Sequence, residues 1–590
     1  MGINLYKKHY NAGMWQKYDE KRNSAKISAP KLRERARIAP RKSPQLPFCG
    51  RCDTLTERKR EGGRGMLKKL HGRKLAVCLL GGAMYALFSA FGWQAEHGGV
   101  IWAGGALLVA ALLVWPIAAL LAVLLERGYT RALRREKTFR AGRAFAFILA
   151  CYVPMFCVAF PGSFAYDVPY QLRQVVTGAY STHHPLLHTL ALGGLLQLGR
   201  ALGDINLGAA LYTVLQMALL AGCFALTCGS IARQSGARAA KRAAVFFALY
   251  PLNMVMAVNA TKDVLFGGFF ALTLALLNEI QEKPSRGLAL KIAACGALAV
   301  MLRNNMAYAA LVWLAILTIG LRKGEKSAAL AMLLALAVGL CGNAALKHAT
   351  RAESGDMSEM LSWPIQQLAR ARLYDEERLT DAEKEAIDEL MPGEAWACYD
   401  PTISDPVKFE FDTQAFRADV KKYVGVWLSV GKKCAGTYLD ATMALTYPFF
   451  YPYREYRVSG YYVQMGMSDA YDAGWCDFDP PESRSLFPRT LASLSWRFGA
   501  KGAMQIPVVG WLFNMGVIVW TMLFFALREM YWGRWRRFGT ALLPVLLWGT
   551  FLLGPVMAGR YIYPFVCALP VLAARPGRSV KEAERGFAQK

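Results

Sequence analysis

The chain has 590 residues, 54% of them hydrophobic, with a mean hydropathy of +0.22 and a formal net charge of +28. Its apolar residues fall in repeated blocks, many about 20 residues long, which is the length that crosses about 30 Å of hydrocarbon; the blocks do not alternate, so a soluble chain and a β-barrel are both excluded. The charge is not a nucleic-acid signature: residues 1–74 hold 21 Lys and Arg against 6 Asp and Glu, whereas residues 351–500 hold 16 against 24, so the basic excess lies in a tail and in short loops, where it orients a membrane protein and meets anionic headgroups.

Taken in order, residues 1–74 read as a basic, disordered cytoplasmic tail with no apolar period. Cys49 and Cys52 form a single Cys-x-x-Cys pair with no second pair, which argues against zinc. Most other cysteines lie in apolar blocks and act as small hydrophobes. Cys398, Cys434 and Cys476 fall in a polar region where one disulfide can be accommodated, with no pairing indicated.

Twelve apolar spans follow, at about 75–95, 99–125, 143–161, 206–230, 243–260, 263–280, 288–302, 306–321, 327–346, 506–527, 538–556 and 560–574. The basic stretch 127–143 belongs in the cytoplasm, and the third span then delivers residues 160–189 to the outer face. Residues 186–203 are apolar enough to suggest a further crossing. That crossing would put the basic run 233–242 outside, so they are read as an outer interfacial or re-entrant helix. The basic stretches 283–291, 322–326, 528–537 and the tail 576–590 then all fall in the cytoplasm. The expected fold is an all-α polytopic membrane protein of about twelve transmembrane helices. It comprises a bundle over 75–346 with an outer loop at 160–205, an outer mainly helical domain over 347–505, and C-terminal spans over 506–575, in the cell membrane with both termini cytoplasmic.

Within the outer domain, Thr380 and Glu383 form a capping box, and 413–446 reads as one long helical stretch. The run Tyr-Pro-Phe-Phe-Tyr-Pro-Tyr at 447–453 suits a membrane interface. Asn259-Ala260-Thr261 is a glycosylation triplet too close to a span to be used readily.

Chemically able side chains gather at the outer span ends. Asp167, a lone acid there, suits a general base, a metal ligand or a salt bridge. His184 and His188 are four apart, but Pro185 intervenes at a helix start, so hydrogen bonding to a sugar or phosphate is preferred for His183 and His184. Lys262, Arg303 and Arg560 are single cations in short outer loops, where the charge rule depletes them. Beside Asp263, Asn304 and Tyr561 they suggest an anion site, because arginine forks match phosphate oxygens. There is no Walker loop, dinucleotide fingerprint or Gly-x-Ser-x-Gly, which argues against a soluble nucleotide-sugar donor and against ATP-driven pumping.

The residues Pro161-Gly162-x4-Asp167-x3-Gln171 and His183-His184-Pro185-x3-Thr189, then the segments TKD (261–263), RNN (303–305), SWPIQQLAR (362–370), ISDPVK (403–408) and GRYIYP (559–564), resemble an uncharacterised family of multi-spanning bacterial membrane proteins. That family is itself similar to the GT-C glycosyltransferases, and the likeness covers roughly residues 75–575. It implies a GT-C-like fold and transfer of a sugar from a polyprenyl-phosphate donor to a cell-envelope acceptor. Asp167 would be the general base, Lys262, Arg303 and Arg560 would hold the donor phosphate, and Gln171, His183 and His184 would position sugar or acceptor. GT-C members with an acidic pair beside the first acid differ from this chain, where Tyr166 and Val168 flank Asp167. A divalent metal is therefore not favoured and no metal ligands are assigned. Two other classes stay open: a lipid or glycolipid flippase or transporter, which expects polar residues mid-span, and a non-enzymatic scaffold with 347–505 as its binding module.

Overall fold

The computed structural model describes residues 72–97, 105–127, 139–165, 167–318, 323–452, 465–467, 480–499 and 508–575. Both tails, Cys49, Cys52, Cys476 and most of the basic stretch 127–143 lie outside these. Among the described residues the chain is helical, and its only β pairing is in isolated bridges. Among the described residues six helices are long and apolar enough to cross a membrane: α1 (Arg73–His97), α2 (Gly105–Arg127), α3 (Ala141–Val158), α6 (Ile205–Ser235), α9 (Lys262–Glu282) and α12 (Lys323–Thr350). Between them lie α4 (Val168–Thr177), α5 (Leu186–Ala201), α7 (Ala237–Leu249), α8 (Pro251–Ala257), α10 (Arg286–Leu302) and α11 (Asn304–Thr318).

The other expected spans also coincide with helices, but with shorter ones or, at Trp535–Leu552, a less apolar one. The span at 243–260 is broken into α7 and α8. Proline disfavours helical backbone in the residue before it, and Tyr250, ahead of Pro251, is extended. Asn253 Nδ2 then donates to the freed Phe247 carbonyl at 3.2 Å.

α9 is the most enclosed of the six, packed against α6, α10 and α22 (Tyr563–Ala573). The turn from α5 to α6 depends on Gly199 and Gly208. A Cβ on Gly208 would lie 2.3 Å from the Leu195 carbonyl oxygen, a backbone atom that has no way to yield. Gly208→Ala is expected to cost about 1–3 kcal/mol through this overpacking, read as a lower melting temperature of the purified protein. An unchanged melting temperature would contradict the close packing.

The segment 347–505, expected on the outer face, carries α13 (Ser362–Tyr374), α14 (Asp381–Leu390), α15 (Asp405–Lys408), α16 (Thr413–Ala418), α17 (Val420–Lys433) and α18 (Ala435–Thr446) around a core of Ile365, Leu368, Ile387, Leu390, Val407 and Val430. The single long helix expected over 413–446 is three helices. Asp419 accepts from the Lys422 amide and starts α17 as its N-cap, and a second break falls at Cys434. Cys398 and Cys434 are free.

The capping box is present. Glu383 also accepts from Lys433 Nζ at 2.7 Å and Ser429 Oγ at 2.7 Å. Burial opposes ionisation there, but Lys433 and the Thr380 amide prevail and bring the carboxyl down to about 2. With the folded value below the unfolded one, its stabilisation is complete above about pH 4.3 and is lost as the pH falls toward the folded value. Glu383→Gln is expected to speed hydrogen exchange of α14 amides at neutral pH and to flatten their acid dependence. Identical exchange profiles in the two proteins would rule this out.

The last helices are α19 (Pro488–Gly499), α20 (Met515–Tyr531), α21 (Trp535–Leu552) and α22. The described part of the aromatic run after α18 is buried, not displayed at an interface. Phe450 stacks on Phe88 at 4.9 Å, and Tyr451 fits because Gly92 and Gly516 leave room for it. Asn259 and Thr261 are also buried, so the glycosylation triplet is closed to modification.

Candidate functional site

The loop after α3 is clamped before it reaches Asp167. The Ser163 amide donates to the Val258 carbonyl at 2.8 Å, and the Ala260 amide donates back to Ser163 at 2.8 Å. Gly162 needs its freedom here: its φ is +145°, and a Cβ would lie 2.2 Å from Thr213 Oγ1. These contacts bring the start of α4 beside the start of α9, and with it Asp167 beside Lys262.

Asp167 occupies the cap position of α4 but makes no capping hydrogen bond. Its carboxylate faces cations instead. Lys262 Nζ donates to Oδ2 at 3.0 Å, and Arg560 forks across both oxygens, Nη1 to Oδ2 at 3.1 Å and Nη2 to Oδ1 at 3.3 Å. His184 Nδ1 stands 3.7 Å from Oδ2 and 3.3 Å from Lys262 Nζ. Burial alone would raise the Asp167 carboxyl. Arg560, then Lys262, outweigh it and hold the group well below the usual carboxylate range. Burial, opposed by Asp167 and aided by Lys262, keeps the His184 imidazole well below its usual value and therefore neutral.

A second pair adjoins the first. Asp263, fully buried, is ion-paired to Arg303 Nη1 and lies 3.9 Å from Arg560 Nε. Thr261 Oγ1 donates to Asp263 at 3.3 Å. The Arg303 guanidinium lies over two neighbouring rings, 4.4 Å from Phe551 and 4.5 Å from Tyr561. Burial lowers it to about 10, so it stays charged at neutral pH, and its Nε is buried with no hydrogen-bond partner. Asp167, His184, Lys262, Asp263, Arg303, Arg560 and Tyr561 thus form one cluster, from four separate parts of the chain. Three cations against two carboxylates leave one positive charge in excess. Among the described residues no three His, Cys, Asp or Glu side chains converge as metal ligands.

The other expected site residues stand apart from it. Gln171, on α4, is buried, and its Nε2 meets His188 Nδ1 at 3.0 Å and donates to Thr189 Oγ1 at 2.9 Å. His188 Nε2 meets the Tyr212 hydroxyl at 2.9 Å, which donates to Gln216. Gln216 Nε2 in turn donates to the Ala257 and Asn259 carbonyls just ahead of Lys262. Gln171 therefore braces the site. His183 is 45% exposed, edge-on to His184 at 4.6 Å and 3.9 Å from Glu359. Asn304 is exposed on the first turn of α11, whereas its neighbour Asn305 donates to Thr550.

Sequence reasoning missed Thr261, Phe551 and the groups behind His183, which are Glu359, Asp405 and Lys408. Lys408 Nζ reaches Glu359 and Asp405, each at 2.6 Å. The Ser404 amide donates to the Pro555 carbonyl at 2.9 Å, and Trp363 Nε1 donates to the Leu552 carbonyl at 2.7 Å. The segments 362–370 and 403–408 therefore hold the loop that carries Arg560. Their polar residues within otherwise ordinary helices were the available signal.

No curated protein and no solved structure matches the chain. A family model does, over residues 176–587, a stretch that takes in His183, His184, Lys262, Asp263, Arg303, Arg560 and Tyr561 and begins after Asp167 and Gln171. With that share of its length matched, the chain belongs to the family described as a family of unknown function (DUF6020).

Proposed function

We propose that the protein is a GT-C-like membrane glycosyltransferase that moves a sugar from a polyprenyl-phosphate donor to a cell-envelope acceptor on the outer face of a twelve-pass bundle. The observation that carries the reading is the part-buried, net-positive cluster with an unpartnered Arg303 Nε. A phosphodiester donor brings one negative charge and makes the site neutral. A diphosphate would overshoot.

In this mechanism Lys262, Arg303 and Arg560 hold the donor phosphate. The acceptor oxygen bonds to the sugar's anomeric carbon as the bond from that carbon to the phosphate oxygen breaks, and the electron pair leaves on the phosphate. The cations stabilise the charge that develops there. Asp167 takes the acceptor's hydroxyl proton. Its low basicity suits a late transfer, once bond formation has acidified the hydroxyl. Donor binding also raises that basicity, because the phosphate shares Lys262 and Arg560 with the carboxylate.

The test is mass spectrometry of envelope glycans from cells with and without the gene. Loss of one sugar substituent is the expected result. Unchanged glycans would refute the reading, and a changed lipid distribution with them would point to a flippase.

A further inference from the structure

The segment 484–499 is fastened to the end of a membrane-spanning helix, and this sets its depth. Ser485 Oγ donates to the Val158 carbonyl at 2.6 Å, the Arg484 amide donates to Phe160 at 2.9 Å, and the Leu486 amide donates to Cys157 at 3.1 Å. Val158 is the last residue of α3, so Leu486 and Phe487 lie level with the final turn of that span. Leu491 and Leu494 of α19 pack against the main core. The opposite side is open: Leu486 is 63% exposed, Phe487 54% and Trp496 61%, with Arg489 and Arg497 exposed beside them.

We infer that this face of α19, with the two residues ahead of it, is a contact for phospholipid headgroups of the leaflet at the C-terminal end of α3. Three observations choose lipid over water or another protein. The hydrogen bonds place the apolar side chains at a span's end, where hydrocarbon gives way to headgroups. Tryptophan beside arginine is the composition of that boundary layer, the ring lying among the glycerol groups and the guanidinium pairing with phosphate. One face of the helix is already spent on the protein, which is how a helix lying in the interface plane is divided. The inference rests on α3 being a span and is independent of the transferase reading.

The test uses the full chain, labelled with 5-fluorotryptophan, in lipid bilayers, with the Trp496 resonance identified by its loss in Trp496→Phe and again in Trp496→Tyr. A lipid carrying a nitroxide on its headgroup is expected to broaden that resonance away, while a water-soluble gadolinium chelate leaves it sharp. Broadening by the chelate instead would show a water-facing helix and overturn the inference. A resonance untouched by both reagents would show a protein-covered face and overturn it equally. Neither outcome would touch the reading of the Asp167 cluster, which is judged by glycan analysis.

Discussion

Asp167→Asn is expected to abolish sugar transfer in cells while leaving the protein in the membrane at normal levels. The substitution keeps the shape of the side chain and removes its charge, so Lys262 and Arg560 lose the carboxylate that both now face. Loss of a positioned base costs about 10²–10⁴-fold in rate, and the amide also leaves the cluster with two charges in excess instead of one. The comparison that gives this meaning is Asn305→Ala. It removes a hydrogen bond to Thr550 at the same level of the chain but outside the cluster, and it is expected to keep the glycan pattern. The measurement is the glycan profile of a deletion strain complemented with each variant, alongside the amount of folded protein. Full complementation by the Asn variant would end the claim that Asp167 does chemistry. A variant that fails to accumulate would show that the carboxylate serves the fold.

Asp263→Asn is expected to have the largest effect on stability. Asp263 is fully buried and is the ion-pair partner of Arg303, which is itself buried, over the rings of Phe551 and Tyr561. Breaking a buried pair by removing one charge costs about 3–5 kcal/mol, because the remaining charge stays buried without compensation, whereas replacing both partners with apolar groups is often neutral. The single variant should therefore melt well below the parent. The double variant Asp263→Leu with Arg303→Met should recover most of the loss and still fail to transfer sugar. Thermal unfolding of the purified proteins reads the first effect, and glycan analysis reads the second. A double variant as active as the parent would remove Arg303 from the proposed phosphate site.

The sequence by itself determined the membrane class, the helices and the polar clusters at their ends. Hydrocarbon thickness and backbone hydrogen bonding impose an apolar run that needs no partner to be recognised. The capping box at Thr380 was legible for the same reason: its reciprocal bonds span three residues. The break at Tyr250 was also local, carried by Pro251, yet the apolar run around it concealed it. Only the tertiary structure decided which polar residues meet. Arg560 lies 393 positions from Asp167, and the fork between them exists because the segments 362–370 and 403–408 hold the Arg560 loop while Ser163 pins its own loop to the strand-like turn before Lys262. It also divided residues that look alike in the chain. His184 joined the cluster while His188 and Gln171 went behind it, and Arg303 entered while Asn304 stayed outside. Those choices depend on which face of a helix a neighbour covers, and that is set by packing among elements far apart in sequence.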